Sequence, residues 1–250
     1  MLEPKREAAR IYGMKQTLSY LTLAATAAFA VAPALTNPFM GFTADQLPVP
    51  QIDPPIQPAG YAFAIWGLIY SWLVVSAVFG VLKRRDDDGW HHARMPLIVS
   101  LVIGVPWLAI ANASAIWATV TIALMAAFAI AALLRAPATD RWWLQAPVGI
   151  YAGWLTAASF VSIGSTMAGY AVLTDGQGWA YLGVIGALIV ALAVLWHKPN
   201  APEYGLTVVW ALVGIIVANG MANVPVTGLA IAGALLLATT AFWFNRRGFS

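Results

Sequence analysis

The chain has 250 residues, of which 61% are hydrophobic and 9% charged, with a formal net charge of +3 and no cysteine. Ordinary soluble domains carry roughly 25% charged residues, so this composition, with a mean hydropathy of +0.77, excludes a soluble globular fold, a disordered chain and a nucleic-acid binder. The missing cysteines exclude disulfides, thiolate metal sites, c-type haem attachment and cysteine nucleophiles. What remains is an all-α, polytopic membrane bundle.

A spanning helix needs about 20 mostly apolar residues. The stretches free of Asp, Glu, Lys and Arg are 16–44, 54–82, 95–134, 142–174, 176–197 and 204–245. Four of them fit one helix each. The stretches 95–134 and 204–245 are long enough for two, turning near Asn112-Ala113-Ser114 and between Asn219 and Pro225, a run dense in turn formers. Eight spans are predicted, at 17–35, 60–82, 95–113, 117–135, 146–170, 179–196, 205–219 and 225–244.

The first span follows Lys5, Arg6, Arg10 and Lys15 and ends near Ala30-Val31-Ala32. That pattern also fits a cleaved signal peptide; the expectation is a retained helix. The loop at 36–59 carries Pro38, Pro48, Pro50, Pro54, Pro55 and Pro58, so it is predicted to be neither helix nor sheet. Two readings stand for it, a stiff connector or a lid over an outward-facing cavity. After the second span comes KRRDDDGWHHAR, residues 83–94. Lys83, Arg84 and Arg85 suit anionic headgroups. Asp86, Asp87 and Asp88 with His91 and His92 have metal-ligating chemistry, but neighbouring carboxylates in a surface loop are usually just solvated, and no metal is expected. The fifth span holds Gly149-Ile150-Tyr151-Ala152-Gly153, a GxxxG that either packs this helix within the bundle or forms a dimer contact. An internal echo links Ile110–Ala115 with Val217–Ala222, and Gly60–Phe63 with Gly178–Tyr181. A parallel four-plus-four duplication would place both members of each pair on the outer face.

With eight spans, all thirteen Lys and Arg residues fall on one side, and Asp45, Asp53 and Asp175 on the other. The positive-inside rule then predicts cytoplasmic termini and a multi-pass protein of a bacterial inner membrane. The interiors of the predicted spans contain no Asp, Glu, Lys, Arg or His; His91, His92 and His197 sit at the cytoplasmic edge. This argues against proton relays, ion-coupled pumps and voltage sensors, and against acid–base catalysis within the membrane. The expectation is therefore not an enzyme, with no catalytic residues.

Twelve tryptophans are present. Trp90, Trp142, Trp143, Trp196, Trp243 and Trp179 fall at predicted boundaries, where indoles anchor helices. Trp72, Trp107, Trp154 and Trp210 lie deeper. An indole N–H finds no partner in hydrocarbon, so these four should face other helices or a cavity. Solid packing and an aromatic cavity explain them equally well. Asn112 and Asn219 could add directional polar contacts to such a cavity, or could simply be helix-end turn residues.

GYAFAIWGLIYSW at 60–72, after a proline-rich outer loop, resembles the signature of the TspO/MBR family, the tryptophan-rich sensory or translocator proteins. That signature has Pro-Pro, an aromatic and a Val-Trp-x-x-Leu-Tyr run entering the second helix, which Ile65-Trp66-Gly67-Leu68-Ile69-Tyr70 matches. Pro54 and Pro55 lie further upstream than the family's pair, and Phe63 is one position closer to the Trp. The family's Leu-Asn-x-x-Trp has Asn112 and Trp117 as wider-spaced counterparts. Its Pro-Tyr-x-x-Trp-x-x-x-Ala has Tyr151, Trp154 and Ala158, with Pro147 displaced and Ser162 in place of an Asn. The resemblance covers about residues 17–170. It implies a five-helix core at 1–170 with a three-helix extension at 171–250. It also implies a cavity for porphyrins or other flat hydrophobic molecules, closed by the 36–59 loop and lined by Phe63, Trp66, Tyr70, Trp107, Asn112, Tyr151 and Trp154. Some such proteins have a tetrapyrrole-degrading activity. Axial haem ligation by His91 or His92 is not supported, because both lie at the opposite membrane face.

The function expected first is binding of a planar hydrophobic ligand, tetrapyrrole-like or lipid, for sensing, trafficking or regulation, with no cofactor required. The alternatives are a structural or assembly subunit of a larger, pigment-containing membrane complex, and a transporter of a neutral or lipid-like substrate. Expected partners are membrane lipids, the hydrophobic small molecule, and a second copy or complex subunit.

Overall fold

The computed structural model describes residues 3–247; the side chains of residues 3–6, 8–11 and 245–247, and so those of Lys5, Arg6, Arg10, Arg246 and Arg247, lie outside the described residues. The described elements are α1 (Glu3–Val31), α2 (Ile65–Lys83), α3 (Asp88–Gly104), α4 (Trp107–Ala113), α5 (Ala115–Arg135), α6 (Ala146–Gly169), α7 (Gly176–His197), α8 (Pro202–Asn219) and α9 (Val224–Arg247). Eight helical segments are long and apolar enough to span a membrane, α3 and α4 together forming the third.

The breaks between helices have local causes. Pro106 lacks the N–H that would continue the ladder, so α3 stops at Gly104 and α4 restarts at Trp107. Ser114 caps α5 by accepting a hydrogen bond from the Trp117 amide at 3.4 Å. Asp175 caps α7 by accepting from the Gly178 amide at 2.8 Å. Gly220 ends α8 at φ +50°, a conformation a β-carbon disfavours.

The third span starts earlier than the sequence pattern suggests, at Asp88 rather than residue 95, because Asp87 accepts a hydrogen bond from the Trp90 amide at 3.0 Å and caps α3. His91, His92 and Arg94 are therefore helical. Arg94 is 2% exposed, which corrects the expectation of spans without ionisable groups. Its guanidinium donates to the carbonyls of Arg84 (2.6 Å), Arg85 (2.9 Å) and Lys15 (3.3 Å). A helix end leaves carbonyls without intrahelical partners, and Arg94 supplies donors to those where α2 ends. Glu203, also helical, is buried at the start of α8 and pairs with Arg141 at 2.6 Å. Trp90 is likewise no interface anchor. It is 3% exposed and donates from Nε1 to Asp140 at 2.8 Å, while Asp140 also holds Arg84 at 2.7 Å.

Helix α6 is the hub. It packs against α2, α5, α7 and α8. Over an 18-residue apolar stretch of its span, 72% of residues are buried, against 28–56% in the corresponding stretches of the others. The GxxxG glycines face α8: a β-carbon on Gly153 would meet the Tyr204 carbonyl oxygen, and one on Gly149 would sit 3.5 Å from the Tyr204 nitrogen. The motif therefore packs the bundle internally. Around this hub α1 lies on α2 and α3, α3 on α5, and α9 on α7 and α8.

Candidate functional site

At the end of the bundle remote from Arg94, the chain from 36 to 59 folds across the helix ends. It includes one short 3-10 turn at Ala44–Gln46. Backbone and amide hydrogen bonds fasten it at five places. The Val49 amide donates to Gly169 O at 2.9 Å, and the Ala59 amide to Gly214 O at 3.0 Å. Gln46 Nε2 donates to Ala111 O at 2.8 Å. Asn112 Nδ2 donates to Asn37 O at 3.1 Å, and Asn219 Nδ2 to Pro55 O at 2.8 Å. Each of these asparagines also donates to the carbonyl four residues earlier on its own helix. The sequence echo between 110–115 and 217–222 is thus also an echo of role.

Two side chains of this loop are buried plugs. Ile56 is 2% exposed and occupies the space that side chains on Gly164 and Gly183 would need. Leu47, 5% exposed, sits against Gly169 in the same way.

Beneath the loop is a cavity of about 320 Å³. Phe29 from α1, Phe63 from the 3-10 turn Gly60–Ala64, Trp66 and Tyr70 from the start of α2, Trp107 from α4 and Trp154 from α6 form an aromatic wall. The rings hold one another edge to face: Phe29 lies 5.2 Å from Tyr70 and 6.1 Å from Trp66, and Phe63 lies 5.7 Å from Trp154. Trp66 and Tyr70 stack at 5.3 Å. Such contacts keep large rings in fixed orientations. The loop adds Phe39, Met40 and Phe42, and Phe39 meets Trp107 edge to face at 5.4 Å. Gly104 makes room for this arrangement, since a β-carbon there would lie 2.6 Å from the Phe29 ring and 2.8 Å from Met125 Cε. The α6 side is flatter and carries Ala157, Ala158, Val161, Ser162 and Ser165.

Of the seven residues singled out from sequence, five (Phe63, Trp66, Tyr70, Trp107 and Trp154) share this wall. The other two stand apart from it. Asn112 is the loop fastener just described. Tyr151 is fully buried behind the wall, 5.6 Å from Phe29, with its hydroxyl 2.9 Å from Ser100 Oγ. The two remaining deep indoles meet backbone instead. Trp72 Nε1 donates to Trp142 O at 2.9 Å, and Trp210 Nε1 to Ala62 O at 3.0 Å. Phe29, Phe39, Phe42 and Met125 carry no motif, and sequence reading missed them. The one available signal was Gly104, a glycine set in an otherwise bulky apolar run before Pro106.

The polar groups of the wall are few and neutral. Trp107 Nε1 donates to Ala118 O at 3.0 Å. Trp154 Nε1 is buried without a partner. No lining residue among those described carries a charge. No group of three or more Asp, Glu or His residues close enough to hold a metal occurs among the described residues. Asp88 pairs with Lys15 at 2.5 Å, and Asp87 caps α3. The arrangement can hold a flat apolar body between rings.

A family model described as TSPO-like protein matches residues 14–243, a stretch that reaches from the first of the described spans into the last. Neither the curated proteins nor the solved structures give a match.

Proposed function

This chain belongs to the TSPO-like protein family, and from that premise we propose that it is a multi-pass membrane receptor for a planar hydrophobic molecule, tetrapyrrole-like or lipid, in sensing, trafficking or regulation. The observation that carries this reading is the aromatic chamber of about 320 Å³ under a fastened loop. Ligand cavities run from about 300 to 1,000 Å³ and are mostly apolar, with a few polar groups. The chamber stands at the small end of that range. A compact ring system suits it as it is, and a full tetrapyrrole requires the loop to move. The wall contains indoles, a phenol and hydroxyls but no carboxylate, imidazole or amine, which favours binding over acid–base chemistry. In this reading the termini are cytoplasmic in a bacterial inner membrane, and the 36–59 loop faces outward, as the basic residues dictate.

Quenching of tryptophan fluorescence in detergent by a porphyrin without carboxylates, matched to the uncharged wall, tests the proposal. Saturable quenching that weakens when Trp66→Ala and Trp154→Ala are combined supports it. Quenching that never saturates, or that is indifferent to both substitutions, overturns it.

A further inference from the structure

Resting on that reading of the chamber, we infer that its guest is uncharged and ends in a neutral hydrogen-bonding group, a hydroxyl or carbonyl, seated on Ser162 and Ser165. Ser165 is 4% exposed and lines the cavity. Its neighbours on α6 bond to their own helix: Thr156 donates to Ala152 O at 2.9 Å and Ser159 to Leu155 O at 2.7 Å. Ser165 does not. Among the described residues its hydroxyl has no hydrogen-bond partner, yet it is not one of the sealed, unpaired polar atoms, so it opens onto the cavity, where a guest can take the bond that water would otherwise make.

One helical turn earlier, Ser162 Oγ lies 2.7 Å from Thr119 Oγ1, and Thr166 Oγ1 lies 2.8 Å from the same atom. Thr119 has a further acceptor of its own, Ala115 O at 2.8 Å. One proton arrangement gives all three hydroxyls an acceptor: Thr119 donates to Ala115, and Ser162 and Thr166 both donate to Thr119. Ser162 then presents lone pairs to the cavity and no proton. Ser165 presents both. A guest hydroxyl can donate to Ser162 and accept from Ser165; a guest carbonyl can accept from Ser165.

Position fixes the polarity of the guest. Ser162 and Ser165 lie near the loop end of α6, four residues or more before Gly169, which accepts from the Val49 amide. Trp154 lies two turns deeper. The head therefore sits under the loop and the ring body lies inward, among Trp66, Tyr70 and Trp154. A carboxylate placed at the serines would meet no cation in the wall, and an ammonium no anion; burying an unpaired charge costs far more than burying a paired or neutral group.

The test uses the full chain in nanodiscs and three probes of one shape: pyrene, 1-pyrenemethanol and pyrene-1-carboxylate, at pH 8. Energy transfer from tryptophan to pyrene reports binding, corrected for partition into protein-free nanodiscs. The expected result is saturable binding of the alcohol, about tenfold tighter than the carboxylate. Ser165→Ala should erase the preference of the alcohol over pyrene and leave pyrene unchanged, and Ser165→Thr should restore it. Equal binding of carboxylate and alcohol, or equal loss of pyrene and alcohol in Ser165→Ala, overturns this inference while leaving the chamber a ligand site. Absence of saturable transfer to all three probes overturns the ligand reading itself.

Discussion

Gly153 has no room for a β-carbon. The atom would meet the Tyr204 carbonyl oxygen and, at 2.9 Å, Thr207 Cβ. Backbone cannot yield as a side chain can, so α6 and α8 would have to separate. Gly153→Ala should destabilise the bundle by about 1–3 kcal/mol, while Gly149→Ala, whose nearest new contact is 3.5 Å away, should cost little; thermal unfolding of the two variants in detergent compares them. At the opposite pole of residue chemistry stands Asp140. Burial works against its ionisation, but hydrogen bonds from Arg84 and Trp90 and the Arg84 charge outweigh it and hold its pKa below the ordinary carboxylate value. A carboxyl depressed on folding stabilises above its unfolded pKa of about 3.9 and loses that contribution as pH falls through the folded value. Acidification below about pH 4 should thus lower the melting temperature. Asp140→Asn should melt lower at pH 7 and lack that part of the acid loss. Parallel acid losses in both proteins would exonerate the residue.

At the scale of elements, the outer loop is a chain of proline corners made firm by insertion. Ile56 fills the hole between Gly164 and Gly183, and Asn112 and Asn219 fix the carbonyls of residues near its two ends. Ile56→Ala leaves that hole empty, at a cost of about 2–5 kcal/mol, and should make the loop a faster substrate for protease added to the folded protein. An unchanged cleavage rate would show that the asparagines and backbone bonds suffice. These contacts also explain what the sequence could and could not reveal. The spans were legible because the membrane demands long apolar runs, and the turn at Asn112–Ser114 because the charge-free stretch 95–134 is too long for one helix. The early start of α3 was not, since a count of charge-free residues cannot know that the Arg94 guanidinium is solvated by the carbonyls of Arg84 and Arg85, just past the end of α2. Within the site, Trp66 and Trp154 declared themselves through the family's motifs and Trp107 through its depth in a span. Asn112 and Tyr151 share those motifs, but spacing does not say which way a helix is turned, and the structure directs one to the loop and the other to Ser100. The phenylalanines of the wall come from α1 and from the loop, where only the finished fold brings them together.

The whole molecule repeats a packing pattern. The first span lies on the second and third, and the third on the fourth; α6 lies on α7 and α8, and α8 on α9. The distribution of Lys and Arg predicts cytoplasmic termini with the loop outside, and the absence of cysteine from the sequence makes that prediction easy to test. A single cysteine at Asp45 should react with a membrane-impermeant thiol reagent in intact cells, and one at Arg85 only after lysis; the reverse pattern would invert the topology. The central position of α6 carries one more consequence, for biogenesis. A helix buried on nearly every side presents little to lipid, and this span is among the least apolar of the eight, whereas α5 and α7 on either side of it are the most apolar. Such a segment gains little by partitioning into the bilayer alone. Its stable insertion during synthesis therefore depends on leaving the translocon in the company of its two greasy neighbours, so that lengthening the short connections at 136–140 or 170–175 would be felt first as failed membrane integration rather than as a weakened mature fold.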